Sequence, residues 1–129
     1  MIRLLFVCIE NSCRSQMAEA YAAIHGGENV QAYSAGSTPS GVVNDKAVAA
    51  MDDLGYDLSS HRSKPLEDLP DVTFDYVVTM GCGDQCPPVP TRHRADWDIT
   101  DPKDLPRDAF DKVRDDIGTR VQELLSRLT

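Results

Sequence analysis

Positive charge is what this 129-residue sequence has least of: 13 lysines and arginines stand against 21 aspartates and glutamates, a formal charge of −8. A field of that sign repels nucleic acid and anionic lipid, so neither is an expected partner, and any bound anion must be held by a local arrangement. Long apolar runs are missing too. The longest near the start, residues 4–7, is far short of a membrane span. Arg3 before it and Asn11, Arg14 and Glu19 soon after do not make a secretory leader, so a cytoplasmic protein is expected. Repeats, low-complexity tracts and linkers are absent, and the length leaves room for one core, so residues 1–129 are read as a single domain. Aromatic residues make up only 6%. Four cysteines (Cys8, Cys13, Cys82, Cys86) are present. In a reducing compartment they point to metal binding, catalysis or redox chemistry rather than to structural disulfides.

What is there alternates strand with helix. Residues 2–7 are apolar apart from Arg3, the pattern of a strand buried on both faces. Met17, Ala20, Tyr21 and Ile24 recur at helical spacing over residues 15–25, before Gly26-Gly27. Residues 30–34 form a second strand, closed by Ala35-Gly36-Ser37. Val43, Ala47, Ala50, Met51 and Leu54 form a helical stripe stopped by Gly55, and residues 74–80 a third buried strand. Pro87, Pro88 and Pro90 predict an irregular loop over residues 81–94, followed by a short strand at 95–99. Phe110, Val113, Ile117, Val121, Leu124 and Leu128 mark one apolar face of a C-terminal helix. Such alternation predicts an α/β fold: right-handed βαβ units making a parallel sheet covered on both faces. Ligands then bind at the carboxyl ends of the strands.

The segment leaving the first strand is Cys8-Ile9-Glu10-Asn11-Ser12-Cys13-Arg14-Ser15. A loop opening a helix turns several backbone N–H groups towards one point, and the helix dipole adds partial positive charge there. Arg14 completes the cradle with a planar fork matched to a tetrahedral oxyanion. The same field favours the thiolate form of Cys8, the nucleophilic one, and Ser15 can donate a hydrogen bond to it. Asn11 tolerates the backbone angles such a loop requires. Cys13 is read as a spectator, and Glu10 is expected to face solvent, since an inward carboxylate would repel the anion. Asp101, before Pro102, is biased towards extended backbone at a strand end, where a carboxyl above a thiolate can protonate a departing oxygen.

Residues 8–19, C-I-E-N-S-C-R-S-Q-M-A-E, resemble the phosphate-loop signature of the low-molecular-weight protein tyrosine phosphatase superfamily, and more narrowly its arsenate reductase branch. Tyr33-Ser34-Ala35-Gly36-Ser37 and Asp101-Pro102 fall where that family has matching segments. The resemblance spans nearly the whole chain. It implies a four-stranded parallel sheet with helices on both faces, a Cys8 that attacks a tetrahedral oxyanion, and an acid role for Asp101. It also implies arsenate as substrate, with the tyrosine phosphatase reaction of Cys8, Arg14 and Asp101 as the alternative. Phosphatases of the family place aromatic residues just after the Asp-Pro pair; here Lys103 and Asp104 follow.

Cys82-Gly83-Asp84-Gln85-Cys86-Pro87 follows the third strand. Two thiols in a Gly- and Pro-bearing loop suit thiol–disulfide exchange, which a phosphatase does not need. Cys82, Cys86 and His93 could supply three metal ligands, but no fourth is evident and the spacing is not a common zinc one, so no metal is expected. The resemblance implies a relay in which Cys82 attacks Cys8 and Cys86 attacks Cys82. An external thiol reductant such as thioredoxin then restores the enzyme, with no tightly bound cofactor. The resembling reductases space the two cysteines more widely. Asn11, Glu19 and Ser34 resemble a potassium site of some of these reductases; Lys64 stands where a further acidic ligand would be sought, so a salt-bridged Glu19 is expected instead. A monomer is expected.

Overall fold

A computed structural model of the chain describes residues 1–81 and 89–129. Four strands, β1 (Ile2–Cys8), β2 (Val30–Gly36), β3 (Phe74–Thr79) and β4 (Thr91–Asp96), make one sheet in the order β2-β1-β3-β4. Every pairing is parallel. Strand β1 lies at the centre with a neighbour on each side, which is why it reads as an almost unbroken apolar run. Its side chains alternate. Leu4, Phe6 and Cys8 join the buried residues of the helices, whereas Leu5 and Val7 join Ala35, Phe74 and Val77 on the opposite face.

Three α-helices cover the first face: α1 (Arg14–Gly26), α2 (Asp45–Asp52) and α3 (Arg107–Leu128). Met17, Met51, Phe110, Ile117, Val121 and Leu124 are buried against it. Among the described residues, the second face is covered more thinly, by Leu66 and Leu69 around a 3-10 turn, with Val72 and Val89. Helices α1 and α3 cross closely at Gly118, where an added Cβ would lie 2.6 Å from the Tyr21 ring. No helix among the described residues is long and apolar enough to cross a membrane.

The outer strand departs from the sequence pattern. β4 spans Thr91–Asp96, beginning at Thr91 rather than near residue 95. Thr91-Arg92-His93-Arg94 is mostly exposed and carries no apolar signal, because an edge strand is specified by its backbone pairing with Phe74 to Thr79 on one side alone. β2 runs two residues further than its apolar pattern, to Gly36 opposite Cys8. Helix α2 starts after Asn44, whose side chain accepts a hydrogen bond from Lys46 N at 2.8 Å, leaving Val43 and Leu54 outside it.

Candidate active site

Residues 8–15 link the end of β1 to the start of α1 at the carboxyl edge of the sheet. Asn11 adopts φ of 52°, a left-handed conformation that Asn adopts more readily than most residues. Its amide is oriented by three partners: Oδ1 accepts from Gln16 Nε2 at 2.9 Å and from Lys64 N at 3.0 Å, so Nδ2 must face Ser15, to whose Oγ it donates at 2.7 Å. With that oxygen already accepting, the Ser15 proton is free for Cys8, whose Sγ lies 2.9 Å away. The contact is buried.

Arg14 is buried, and its Nη1 donates to Ile99 O at 3.0 Å. Its Nη2 lies 3.7 Å from Asp101 Oδ2, so guanidinium and carboxylate meet above the loop although they come from opposite ends of the chain. Gly81 makes this possible. It has φ of 80°, and a Cβ there would stand 2.3 Å from Arg14 Nη1. Gly36 plays a similar part under the loop: a Cβ there would meet Ile9 O at 2.7 Å. Asp101 is held from its other oxygen by Lys103 N at 3.2 Å.

The structure therefore pairs Cys8 with Ser15 and Arg14 with Asp101 at the carboxyl edge of the sheet. Cys82 and Cys86 lie outside the described residues. Cys13 is buried with Ser12 Oγ donating to its sulfur at 3.8 Å, and burial pushes its thiol up to about 12, a neutral spectator. Glu10 faces outwards to an ion pair with Lys103. Among the described residues, no group of three or more His, Cys, Asp or Glu is placed to hold a metal ion.

Behind the loop lies a polar cluster of which motif reading missed Tyr56, His61 and the role of Gln16. Gln16 Nε2 also donates to Asn11 O at 3.1 Å and Arg62 O at 2.9 Å, and its Oε1 is 2.9 Å from His61 Nδ1. Tyr56 Oη is 2.6 Å from His61 Nε2. Glu19 accepts from Ser34 Oγ at 2.7 Å and lies 3.2 Å from His61 Nδ1 and 3.8 Å from Lys64 Nζ. Burial lowers the pKa of His61, with the Glu19 carboxylate opposing, so a neutral imidazole is favoured. Glu19, Ser34 and Lys64 are the residues already singled out in sequence, whereas nothing in the local sequence marks Tyr56 or His61.

Over residues 3–129 the sequence matches the low molecular weight phosphotyrosine protein phosphatase family. The chain belongs to that family. A glutaredoxin arsenate reductase of Synechocystis sp. (strain ATCC 27184 / PCC 6803 / Kazusa) is 35% identical over 132 residues, with 100% of each chain covered. An arsenate reductase of Staphylococcus aureus (strain Newman) is 38% identical over 128 residues, 96% of each. Among solved structures, an arsenate reductase in the phosphate-binding state is similar at TM-score 0.91 and 35% identity, again over 100% of both chains. Within the phosphatase family these relatives put the chain on the arsenate reductase branch.

Proposed function

We propose that this protein reduces arsenate to arsenite in the cytoplasm, acting as a monomer, with Cys8 as nucleophile. The observation that carries the reading is the meeting of Cys8, Ser15, Arg14 and Asp101 at one strand end, in a chain similar over its whole length to arsenate reductases. Arsenate shares the tetrahedral shape and charge of phosphate. The backbone N–H groups of residues 9–15 and the Arg14 guanidinium hold its oxygens. The Cys8 thiolate attacks arsenic, and the expelled oxygen takes a proton from Asp101 and leaves as water.

The Cys82 thiolate then attacks the Cys8 sulfur. The S–As bond breaks with its electron pair going to arsenic, which falls from As(V) to As(III) and leaves as arsenite. The new Cys8–Cys82 disulfide is attacked by Cys86, releasing the Cys8 thiolate and leaving Cys82–Cys86 oxidised. A dithiol protein of the thioredoxin or glutaredoxin class returns two electrons. Such a relay answers an access problem: Cys8 is buried, where a protein reductant would reach it poorly.

The family description favours one further reading, hydrolysis of aryl phosphates by Cys8, Arg14 and Asp101. Lys103 and Asp104 after Pro102 leave no aromatic wall for a phenyl ring, so that reaction is slow if present. A potassium ion beside Asn11, Glu19 and Ser34 is possible but disfavoured, since Lys64 brings a cation to within 3.8 Å of Glu19.

A coupled assay supplies arsenate with thioredoxin, glutaredoxin plus glutathione, or mycothiol in turn. The expected result is arsenate-dependent oxidation of thioredoxin, unchanged when sodium replaces potassium. In the Cys86→Ser variant one arsenite is released and peptide mapping finds Cys8 bonded to Cys82. Normal turnover of that variant with thioredoxin would mean that a small thiol resolves the Cys8 adduct. Efficient turnover of phosphotyrosine peptides without arsenate-dependent reductant consumption would promote the phosphatase reading.

A further inference from the structure

A carboxylate inside an anion-binding loop needs an explanation, and Glu10 is one. Its carbonyl is anchored from the far side, accepting from Ser40 N at 3.1 Å and Ser63 Oγ at 2.9 Å. Its side chain crosses instead to Lys103, forming an ion pair between the loop and the segment that carries Asp101. The two segments are thus joined twice, by Glu10–Lys103 and by Arg14–Asp101. Lys103 is itself pinned from behind: Lys46 Nζ donates to Lys103 O at 3.0 Å and to Leu105 O at 2.8 Å.

We propose that Lys103 is the residue that makes this acid-bearing loop able to hold an oxyanion, by cancelling the charge of Glu10. The inference rests on the reading that the loop binds a tetrahedral oxyanion. Glu10 and Asp101 contribute two negative charges around the site, and Arg14 and Lys103 two positive ones. Without Lys103 the balance turns negative, at a site whose ligand carries up to two negative charges and in a chain of net charge −8. Both members of the pair are part-exposed, so little folding stability depends on it. Their effect falls on ligand charge, which they share a rim with. The hydrogen bond and charge of Glu10 raise the pKa of Lys103 above its ordinary 10.5, so the ammonium is protonated at neutral pH, where arsenate and phosphate are anionic. The same pair lies beside Asp101-Pro102, so the position flanking a leaving group is ionic rather than aromatic.

The test is a double-variant cycle read by calorimetric titration with inorganic phosphate, at low and high salt, alongside KM and kcat for arsenate. Lys103→Met is expected to weaken phosphate about fivefold to tenfold at low salt, and less at high salt where the repulsion is screened. Glu10→Gln binds at least as tightly as the natural protein. Glu10→Gln combined with Lys103→Met recovers most of the lost affinity, and the arsenate effect falls on KM more than on kcat. A double variant as weak as Lys103→Met overturns the proposal, since Lys103 would then act on the anion or the loop directly. Unchanged binding in Lys103→Met, or a natural protein that binds no phosphate, overturns it as well. An intact phosphate cycle in a protein that reduces no arsenate would support the charge pairing and defeat the proposed reaction.

Discussion

Ser15 has a single proton, and its direction follows from Asn11, which donates to the Ser15 oxygen. Because Lys64 N and Gln16 Nε2 both donate to Asn11 Oδ1, the amide cannot flip, and Ser15 is left donating to sulfur. Ser15→Ala removes a hydrogen bond to a charged partner, of the order of 1.5–3 kcal/mol. Alkylation of Cys8 by iodoacetamide at neutral pH and the arsenate kcat are both expected to fall, by about tenfold or more, with phosphate affinity changed far less. Gly81 poses a different constraint at the same site. Gly81→Ala would place a Cβ 2.3 Å from Arg14 Nη1 at φ of 80°, so the guanidinium must move. Phosphate binding is expected to weaken by at least about tenfold; titration calorimetry with a parallel melting curve separates this from loss of fold.

At the scale of elements, the site depends on α1 being held at one height against the sheet, since its first turn carries Arg14 and Ser15. The helix is clamped from outside by α3 at the Tyr21–Gly118 crossing. Gly118→Ala forces that crossing apart. Overpacking of this kind costs about 1–3 kcal/mol, readable as a lower denaturant midpoint with an unchanged slope. Phe110→Ala at the start of α3 leaves a cavity instead, for about 3–5 kcal/mol. Among the described residues, the second face of the sheet is covered over Leu5 and Val7 by the 3-10 turn and its neighbours. Hydrogen exchange is accordingly expected to be faster in residues 66–72 than in α1 or α3.

For the molecule as a whole, stability should narrow from both ends of the pH scale, through buried Cys13 and half-buried His61, which both stay neutral. Cys13 titrates near 12 in the folded protein against an ordinary 9.0. Its contribution is complete below 9.0 and is lost as pH rises from there towards 12, because the unfolded chain gives up the proton first. His61 is shifted the other way, below its ordinary 6.5. Its contribution is complete above 6.5 and shrinks as pH falls through that value, because the unfolded chain takes up the proton first. Chemical denaturation across the pH range checks both. Cys13→Ala should make the alkaline limb shallower, leaving the part due to Tyr21 and Tyr56, whose pKa values burial also raises, and leave the acid limb in place.

Much of this protein was legible in its residues read alone. Cys8, Arg14, Ser15 and Asn11 lie within eight consecutive positions, so strand burial, helix capping and anion chemistry coincide in one local pattern that needs no partner to be recognised. The central strands announced themselves because a parallel strand buried on both faces admits almost nothing polar, and α3 did so because one stripe of it meets the core. Chain folding had to supply the rest. β4 is polar and takes its place from backbone pairing with β3, a long-range fact that side-chain pattern does not encode. The Tyr56–His61–Gln16 cluster, the approach of Gly81 to Arg14, and Lys103 on Glu10 join residues that are ordinary in their own neighbourhoods. Local chemistry sets what each group can do; which charge it then faces depends on where the sheet brings distant segments together.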